Sequence, residues 1–275
     1  MPGTLYVVST PIGNLGDFSF RAVEVLGAVA LILAEDTRHS RTLLDRYEIR
    51  TPVASYHEHN EAKMTPRVVE RLFGGEDLAL ISDAGTPLLS DPGARLVRAA
   101  TDASVAVVPI PGASALLSAL VAAAIDTERF TFYGFLPRKG RDRTATLAEL
   151  ASLPHTAVLY EAPSRLVDTL SALEERGVGE REAAVAREMT KQYEEVRRGT
   201  VSALRAYYND HPPRGEIVIV LAGAVARAAS EADVRARARA LVEQGRSVRD
   251  VVAQLVAELG VPRNRAYEIV EEERA

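Results

Sequence analysis

Over the first 110 residues, short apolar runs alternate with amphipathic stretches. Thr4 to Thr10 is a β-branched run ending in Pro11-Ile12-Gly13-Asn14-Leu15-Gly16-Asp17, and a helical pattern follows from Ser19 to Leu26. Leu31 to Ala34 reads as a second strand, leading into Glu35-Asp36-Thr37-Arg38 and a helix over Ser40 to Tyr47. Strands at Val53 to Tyr56, Leu78 to Ile81 and Val105 to Ile110 continue the series, with helices from about Thr65 to Phe73 and over Ala94 to Ala100. Short strands alternating with helices predict a parallel sheet covered on both faces. An Ala/Leu helix then runs to about Ala124, and the alternation restarts. Strands are expected at Phe130 to Leu136, Ala157 to Tyr160, Ala183 to Ala186, Glu195 to Arg198 and Glu216 to Leu221, with helices at Thr144 to Leu153 and Ser164 to Glu175.

After Gly223 the pattern turns wholly helical: Ala226 to Ala240, Val248 to Leu259 and Arg265 to Glu272, the last two separated by Gly260-Val261-Pro262-Arg263-Asn264. Two short helices about a Gly-containing turn resemble a helix-turn-helix. Arg246, Arg249, Arg263 and Arg265 cluster around that turn, which fits either a packing module or a nucleic-acid contact. The organisation read from the pattern is α/β, with α/β domains at 1–115 and 116–225 and a helical module at 226–275.

Composition narrows the classes. A chain of 275 residues can bury a sizeable core, and its net charge of −5 excludes a uniformly basic nucleic-acid binder but not a local basic surface. There is no cysteine, hence no disulfide and no thiolate chemistry. No basic region precedes the first strand, and the richest apolar stretch, Ala113 to Ile125, is too short for a bilayer, so a soluble, cytoplasmic protein is expected.

The candidate chemistry centres on Ile81-Ser82-Asp83-Ala84-Gly85-Thr86-Pro87-Leu88-Leu89-Ser90-Asp91-Pro92-Gly93, where a buried strand empties into a loop of small and polar residues before a helix. Ligands sit in the crevice outside the carboxyl ends of such strands. Neither G-x-x-x-x-G-K-[ST] nor a strand followed by G-x-G-x-x-G is present, which disfavours P-loop and dinucleotide chemistry. Gly112-Ala113-Ser114-Ala115-Leu116 is one glycine short of a nucleophile elbow, and the only late histidine, His211, precedes Pro212-Pro213. His57 and His59, two apart in an extended segment, would point to opposite faces, so no metal is predicted. What remains are strand-end loops rich in backbone donors and poor in fixed positive charge. They suit a neutral or cationic ligand such as S-adenosylmethionine, which carries no phosphate.

Six blocks carry a resemblance: Thr10 to Asp17, Ala34 to Arg38, Ser82 to Pro87, Pro109 to Ala115, Gly134 to Pro137 and Tyr160 to Arg165. In this order and spacing they resemble the ribosomal RNA small-subunit methyltransferase I family, an RNA-modifying branch of the tetrapyrrole (corrin/porphyrin) methylase superfamily. The resemblance covers residues 4 to 223, and the terminal helices resemble that family's helix-turn-helix. It implies S-adenosylmethionine in a cleft between two α/β domains, a homodimer, and methyl transfer to the 2′-hydroxyl of a cytidine in the decoding region of 16S rRNA, free or in the small ribosomal subunit. Pro11 and Gly13 would shape the first loop, and Asp83, Gly85, Thr86, Leu88, Ser114 and Ala115 would line the cofactor. Glu161 and Gly215-Glu216-Ile217 would contribute from the second domain.

Removing the ribose proton as the new bond forms would help such a transfer, and Glu35, Asp36 and Glu161 are the candidate bases. Each could instead cap a helix or pair with Arg38 or Arg165. The basic loop Arg138-Lys139-Gly140-Arg141-Asp142-Arg143 suits RNA phosphates, as would Arg38, Arg165, Arg263 and Arg265. A tetrapyrrole methylase and a non-enzymatic RNA-binding protein are the alternatives.

Overall fold

The computed structural model describes residues 1–224 and 231–274. Residues Met1–Ala222 form one compact unit and Gly223–Ala275 a second. The first unit holds two five-stranded sheets. β1 (Thr4–Val8), β2 (Leu31–Ala34), β3 (Val53–Ser55), β4 (Leu78–Ile81) and β5 (Ala106–Ile110) form the first, in the order β3-β2-β4-β1-β5. All its neighbours are parallel, as the alternation predicts.

β4 shows why a central parallel strand reads as an unbroken apolar run. Its four residues are all buried, and the pleat sends them to opposite faces. Leu78 and Leu80 pack with Leu72 of α3 (Glu61–Phe73) and Leu96 of α4 (Ala94–Asp102). Ala79 and Ile81 pack with Leu26 of α1 (Phe20–Ala28) and Leu44 of α2 (Thr37–Arg46).

The second sheet is mixed. Its strands are β6 (Phe130–Phe135), β7 (Thr156–Glu161), β8 (Glu182–Arg187), β9 (Glu195–Thr200) and β10 (Ile217–Leu221), in the order β6-β7-β10-β8-β9. Only β6 and β7 run parallel; β10 is antiparallel to β7 and β8, and β8 to β9. The restart of the alternation therefore does not mean a second parallel sheet. β8 and β9 follow one another without a helix, so they pair as neighbouring antiparallel strands. One face of this sheet packs on α6 (Gly140–Ser152), α7 (Leu166–Leu173) and α8 (Val201–Asp210). The other is covered by α5 (Ala115–Ala122), whose Leu116, Ala119 and Leu120 meet Val158, Ala184 and Val218. The helix that follows the first sheet thus belongs to the core of the second.

In the second unit α9 (Glu231–Glu243), α10 (Val248–Leu259) and α11 (Arg263–Glu272) share a core that includes Val234, Leu241, Val251, Leu255 and Ile269. Ser247 caps α10, and Gly260 ends it in the left-handed conformation at φ 64°. The first five positions of the helix expected from Ala226 lie outside the described residues.

Candidate active site

The loops after β1, β4 and β5 are stitched to one another. The Thr10 amide donates to the Gly85 carbonyl at 2.8 Å and the Gly85 amide returns to Thr10 at 3.1 Å. Thr10 Oγ1 donates to the Ser82 carbonyl at 3.1 Å, and Ser9 Oγ shares a proton with Thr86 Oγ1 at 3.0 Å. Thr86 Oγ1 also reaches the Ala113 carbonyl at 3.4 Å. At about 1 kcal/mol net each, these bonds hold three loops in one arrangement.

The second sheet brings its contribution by register. Because β10 runs against β7, Ile217 sits opposite Glu161 and Val218 opposite Tyr160. The start of one strand therefore lies beside the end of the other, although more than fifty residues separate them in sequence. Glu161 is 2% exposed and fully partnered. Its Oε1 accepts from the Ala162 amide at 2.9 Å and faces Arg165 Nε at 3.3 Å, while Oε2 accepts from Thr169 Oγ1 at 2.6 Å. Gly215 has φ 82°, and a Cβ there would lie 2.0 Å from the Glu188 carboxylate. Its glycine is required by the turn and by Glu188.

A cleft of about 400 Å³ opens between these loops. Of the residues expected to line the cofactor, Asp83, Gly85, Thr86, Ser114, Ala115, Glu161, Gly215, Glu216 and Ile217 all border it. Sequence reasoning missed Ile12, Leu89, Ser90, Asp91, Phe135, Tyr160 and Val218, which border it too. Phe135 packs edge-on against Tyr160 at 5.6 Å, making an aromatic wall. A signal for Asp91 was present: the dipeptide Ser82-Asp83 recurs in the same loop as Ser90-Asp91.

The electrostatics of the lining are one-sided. It contains Asp83, Asp91, Glu161 and Glu216 but neither lysine nor arginine. Burial, together with the charges of Glu35 and Asp83, pushes the Asp91 carboxyl up to about 6, against a hydrogen bond from Ser82. Burial raises Glu35 as well, aided by Asp83. Three acids facing one another repel, and a cation placed among them would relieve that repulsion.

Several expected site residues lie elsewhere. Leu88, at φ 75°, packs into the core around Leu80 and does not border the cleft. Pro11 and Gly13 border a separate hollow of about 180 Å³ with His39, Ser40 and Thr42. A Cβ on Gly13 would meet the Lys191 side chain at 2.4 Å, so this glycine admits Lys191. Asp36 is the N-cap of α2, accepting from the Arg38 amide at 2.9 Å and from its guanidinium at 3.0 Å. Those bonds hold its carboxyl down at about 2, too acidic to accept a proton near neutrality, and they occupy Arg38. Glu161 has no free oxygen for a base to use, because Arg165, Thr169 and Ala162 take both. Arg143 and Arg165 donate to the carbonyls of Pro137 and Leu136, so they brace the basic loop from beneath. Arg138, Lys139 and Arg141 are exposed. The His57 and His59 rings are 5.9 Å apart because the segment turns instead of extending, yet no metal-holding group of three or more acidic or histidine side chains exists among the described residues.

A sequence profile of the tetrapyrrole (corrin/porphyrin) methylases matches residues 4–205. The ribosomal RNA small subunit methyltransferase I of Synechocystis is 45% identical over 97% of this chain and 97% of its own length. The Bacillus subtilis protein of the same name is 41% identical over 97% and 93%. The chain belongs to the ribosomal RNA small subunit methyltransferase I family, within the tetrapyrrole methylases. Two solved structures of lower sequence identity share its fold. A diphthine synthase superposes with TM-score 0.62 at 14% identity, covering 80% of this chain and 89% of that one. A uroporphyrin-III C-methyltransferase of Thermus thermophilus, complexed with S-adenyl homocysteine, gives 0.58 at 15%, covering 80% and 97%.

Proposed function

We propose that this chain transfers the methyl group of S-adenosylmethionine to the 2′-hydroxyl of a cytidine in the decoding region of 16S rRNA. The observation that carries the reading is the cleft itself, which is walled by carboxylates and aromatic rings and has no lysine or arginine in its lining. A triphosphate would be repelled there, whereas a sulfonium nucleoside with an α-ammonium group is attracted. The bound donor supplies an electrophilic methyl carbon. The acids of the first sheet, Asp83 and Asp91, would hold its positive charges, and Phe135 and Tyr160 would give its apolar parts a dry surface.

The chain's remaining tasks are positioning and proton removal. Holding the ribose oxygen about 3 Å from the methyl carbon, in line with the bond that breaks, supplies most of roughly 7–11 kcal/mol. Asp91 replaces the acids expected from sequence as the proton acceptor, because it borders the cleft and its carboxyl is tuned to about 6. A base near the working pH removes a proton most effectively. Arg138 and Lys139, in the loop after β6, and Arg141, in the first turn of α6, are exposed and would meet RNA phosphates.

Two finer readings accompany this one. The outer face of α5 leaves Val121 76% and Leu117 51% exposed, apolar area that a second copy of the chain would cover. No helix among the described residues is long and apolar enough to cross a membrane, and a cytoplasmic location suits a ribosomal substrate. Titrating labelled S-adenosylmethionine, then assaying methyl transfer to small ribosomal subunits and to free 16S rRNA, tests the proposal. Uptake mapped to a single cytidine ribose is the expected result; no uptake with either substrate overturns it. Sedimentation of the same preparation should give twice the chain mass.

A further inference from the structure

The second unit carries thirteen-, twelve- and ten-residue helices whose arginines divide into two sets. Arg235 pairs with Glu231 and Glu272, Arg237 with Glu258, Arg239 with Glu273, and Arg265 with Glu231 and Glu268. These bridges tie the three helices to one another and leave those guanidinium groups engaged. Arg249 and Arg263 are different: both are exposed, and neither side chain has an ion-pair or hydrogen-bond partner among the described residues. They border one groove of about 370 Å³, together with Val248, Val252, Asn264 and Tyr267. Tyr267 is 53% exposed at that groove. Its ring offers a flat apolar face, and the amide of Asn264 carries both donors and an acceptor. One acid, Glu271, also borders the groove.

Resting on the reading that the substrate is RNA, we propose that this groove of the second unit is an RNA-binding site in its own right, which holds one or two unpaired nucleotides. Arg249 and Arg263 take adjacent phosphates, a base stacks on Tyr267, and Asn264 meets the base edge. Sequence-tolerant binding of single strands has these ingredients: cations along the backbone and an aromatic platform for the base. Both arginines lie in the first turn of their helices, where the helix dipole disfavours cations. Within these three helices Arg235, Arg237, Arg239 and Arg265 all pair with glutamates, so Arg249 and Arg263, which border one groove with an exposed ring, are placed for an external anion. The choice of Arg263 and Arg265 as RNA contacts is thereby revised. Arg265 belongs to the helix-bridging set, and Arg249 takes its place.

The test uses the full chain. Fluorescence anisotropy would follow binding of a labelled twelve-nucleotide single-stranded RNA and of its duplex across a salt series, for the parent, R249A/R263A, Y267A, Y267F and the bridged control R239A. R249A/R263A should weaken single-strand binding at least tenfold and reduce the salt slope by about 1.4, given roughly 0.7 per phosphate. Y267A should weaken it about fivefold or more while Y267F keeps parental affinity, because stacking needs only the ring. R239A should bind like the parent, and the duplex should be insensitive to Y267A. Unchanged affinity and slope in R249A/R263A, or parental binding by Y267A, would overturn the groove. If the parent methylates small subunits while those variants bind RNA normally, only this proposal fails. A parent that neither binds nor methylates RNA sinks both it and the function above.

Discussion

In the first sheet all five strands run the same way, so the carboxyl ends of β1, β2, β4 and β5 fall along one edge and their loops can be tied together. In the second sheet β10 runs against β7, so the cleft receives the end of one strand and the start of another. The first sheet supplies Glu35 and Asp91, whose carboxyls are raised by burial and by the charge of their acidic neighbours, Asp83 among them. The second supplies an acid at rest: Glu161 has a partner at both oxygens. Raised carboxyls are poised to interact with something that arrives, whereas satisfied ones hold a wall in place. On the proposed function, chemistry would belong to the parallel sheet and framing to the mixed one.

Neutralising Asp91 should have the largest effect. In Asp91→Asn the turnover number is expected to fall about 10²–10⁴-fold, the usual contribution of a general base, with the fold intact. The parent's rate should rise with pH through about 6, and the variant should lose that limb. Stability should move the other way. A carboxyl raised to about 6 holds its proton more tightly folded than unfolded, so its ionisation weakens the fold as pH climbs from about 4 through 6. The variant should thus melt higher than the parent at pH 7.5 and alike at pH 4. A cationic donor should ease the same group, releasing protons on binding near pH 6 by calorimetry in buffers of different ionisation enthalpy. A variant that keeps its rate and pH profile would move the chemistry away from the first sheet.

Removing Glu161 tests the opposite side of the contrast. Glu161→Ala leaves the Arg165 guanidinium without its carboxylate and the Thr169 hydroxyl without an acceptor, both beside the buried end of β7. Leaving such groups unsatisfied costs about 1–3 kcal/mol. Denaturant unfolding should show that loss, while the pH dependence of the residual activity keeps its midpoint. A shifted midpoint would place Glu161 in the chemistry and not in the frame.

The parallel sheet was legible because each strand is a closed apolar run emptying into Gly, Pro and polar residues; Leu78–Ile81 is bounded as the pattern predicts. Strand direction in the second sheet was not legible. Periodicity reports which face a residue takes, but not which way its neighbour runs. Helix α8, Val201–Asp210, escaped notice because its polar run between two strands looks like a linker until Val201, Leu204 and Tyr208 are seen to share a buried face. The cleft's glycine and acid blocks could be read from composition and order. For Asp91 the repeated Ser-Asp pair marked the position but not the tuning, which comes first from burial and then from the charges of Glu35, more than fifty residues away, and Asp83.

The smallest effect is expected at the Asp36 side chain, which sits in the same acidic run as Glu35 but serves only the local helix; the bond to Asp83 at 3.1 Å comes from the Asp36 backbone amide and survives substitution. Its carboxylate caps α2 through the Arg38 amide, and its pairing with the exposed Arg38 guanidinium adds little because solvent screens it. Asp36→Ala should therefore lower the melting temperature by a few degrees, the usual mark of one lost cap in a unit of this size. The cap acts only while ionised, and its carboxyl is depressed to about 2, so its contribution is complete above about 4 and fades as pH falls toward 2. The difference in melting temperature between variant and parent should narrow over that window. Donor affinity and turnover should be unchanged, because the side chain points into the start of a helix and not into the cleft. A large loss of turnover in Asp36→Ala would break the division between neighbouring acids on which the comparison of the two sheets depends. It would return the base to the loop after β2.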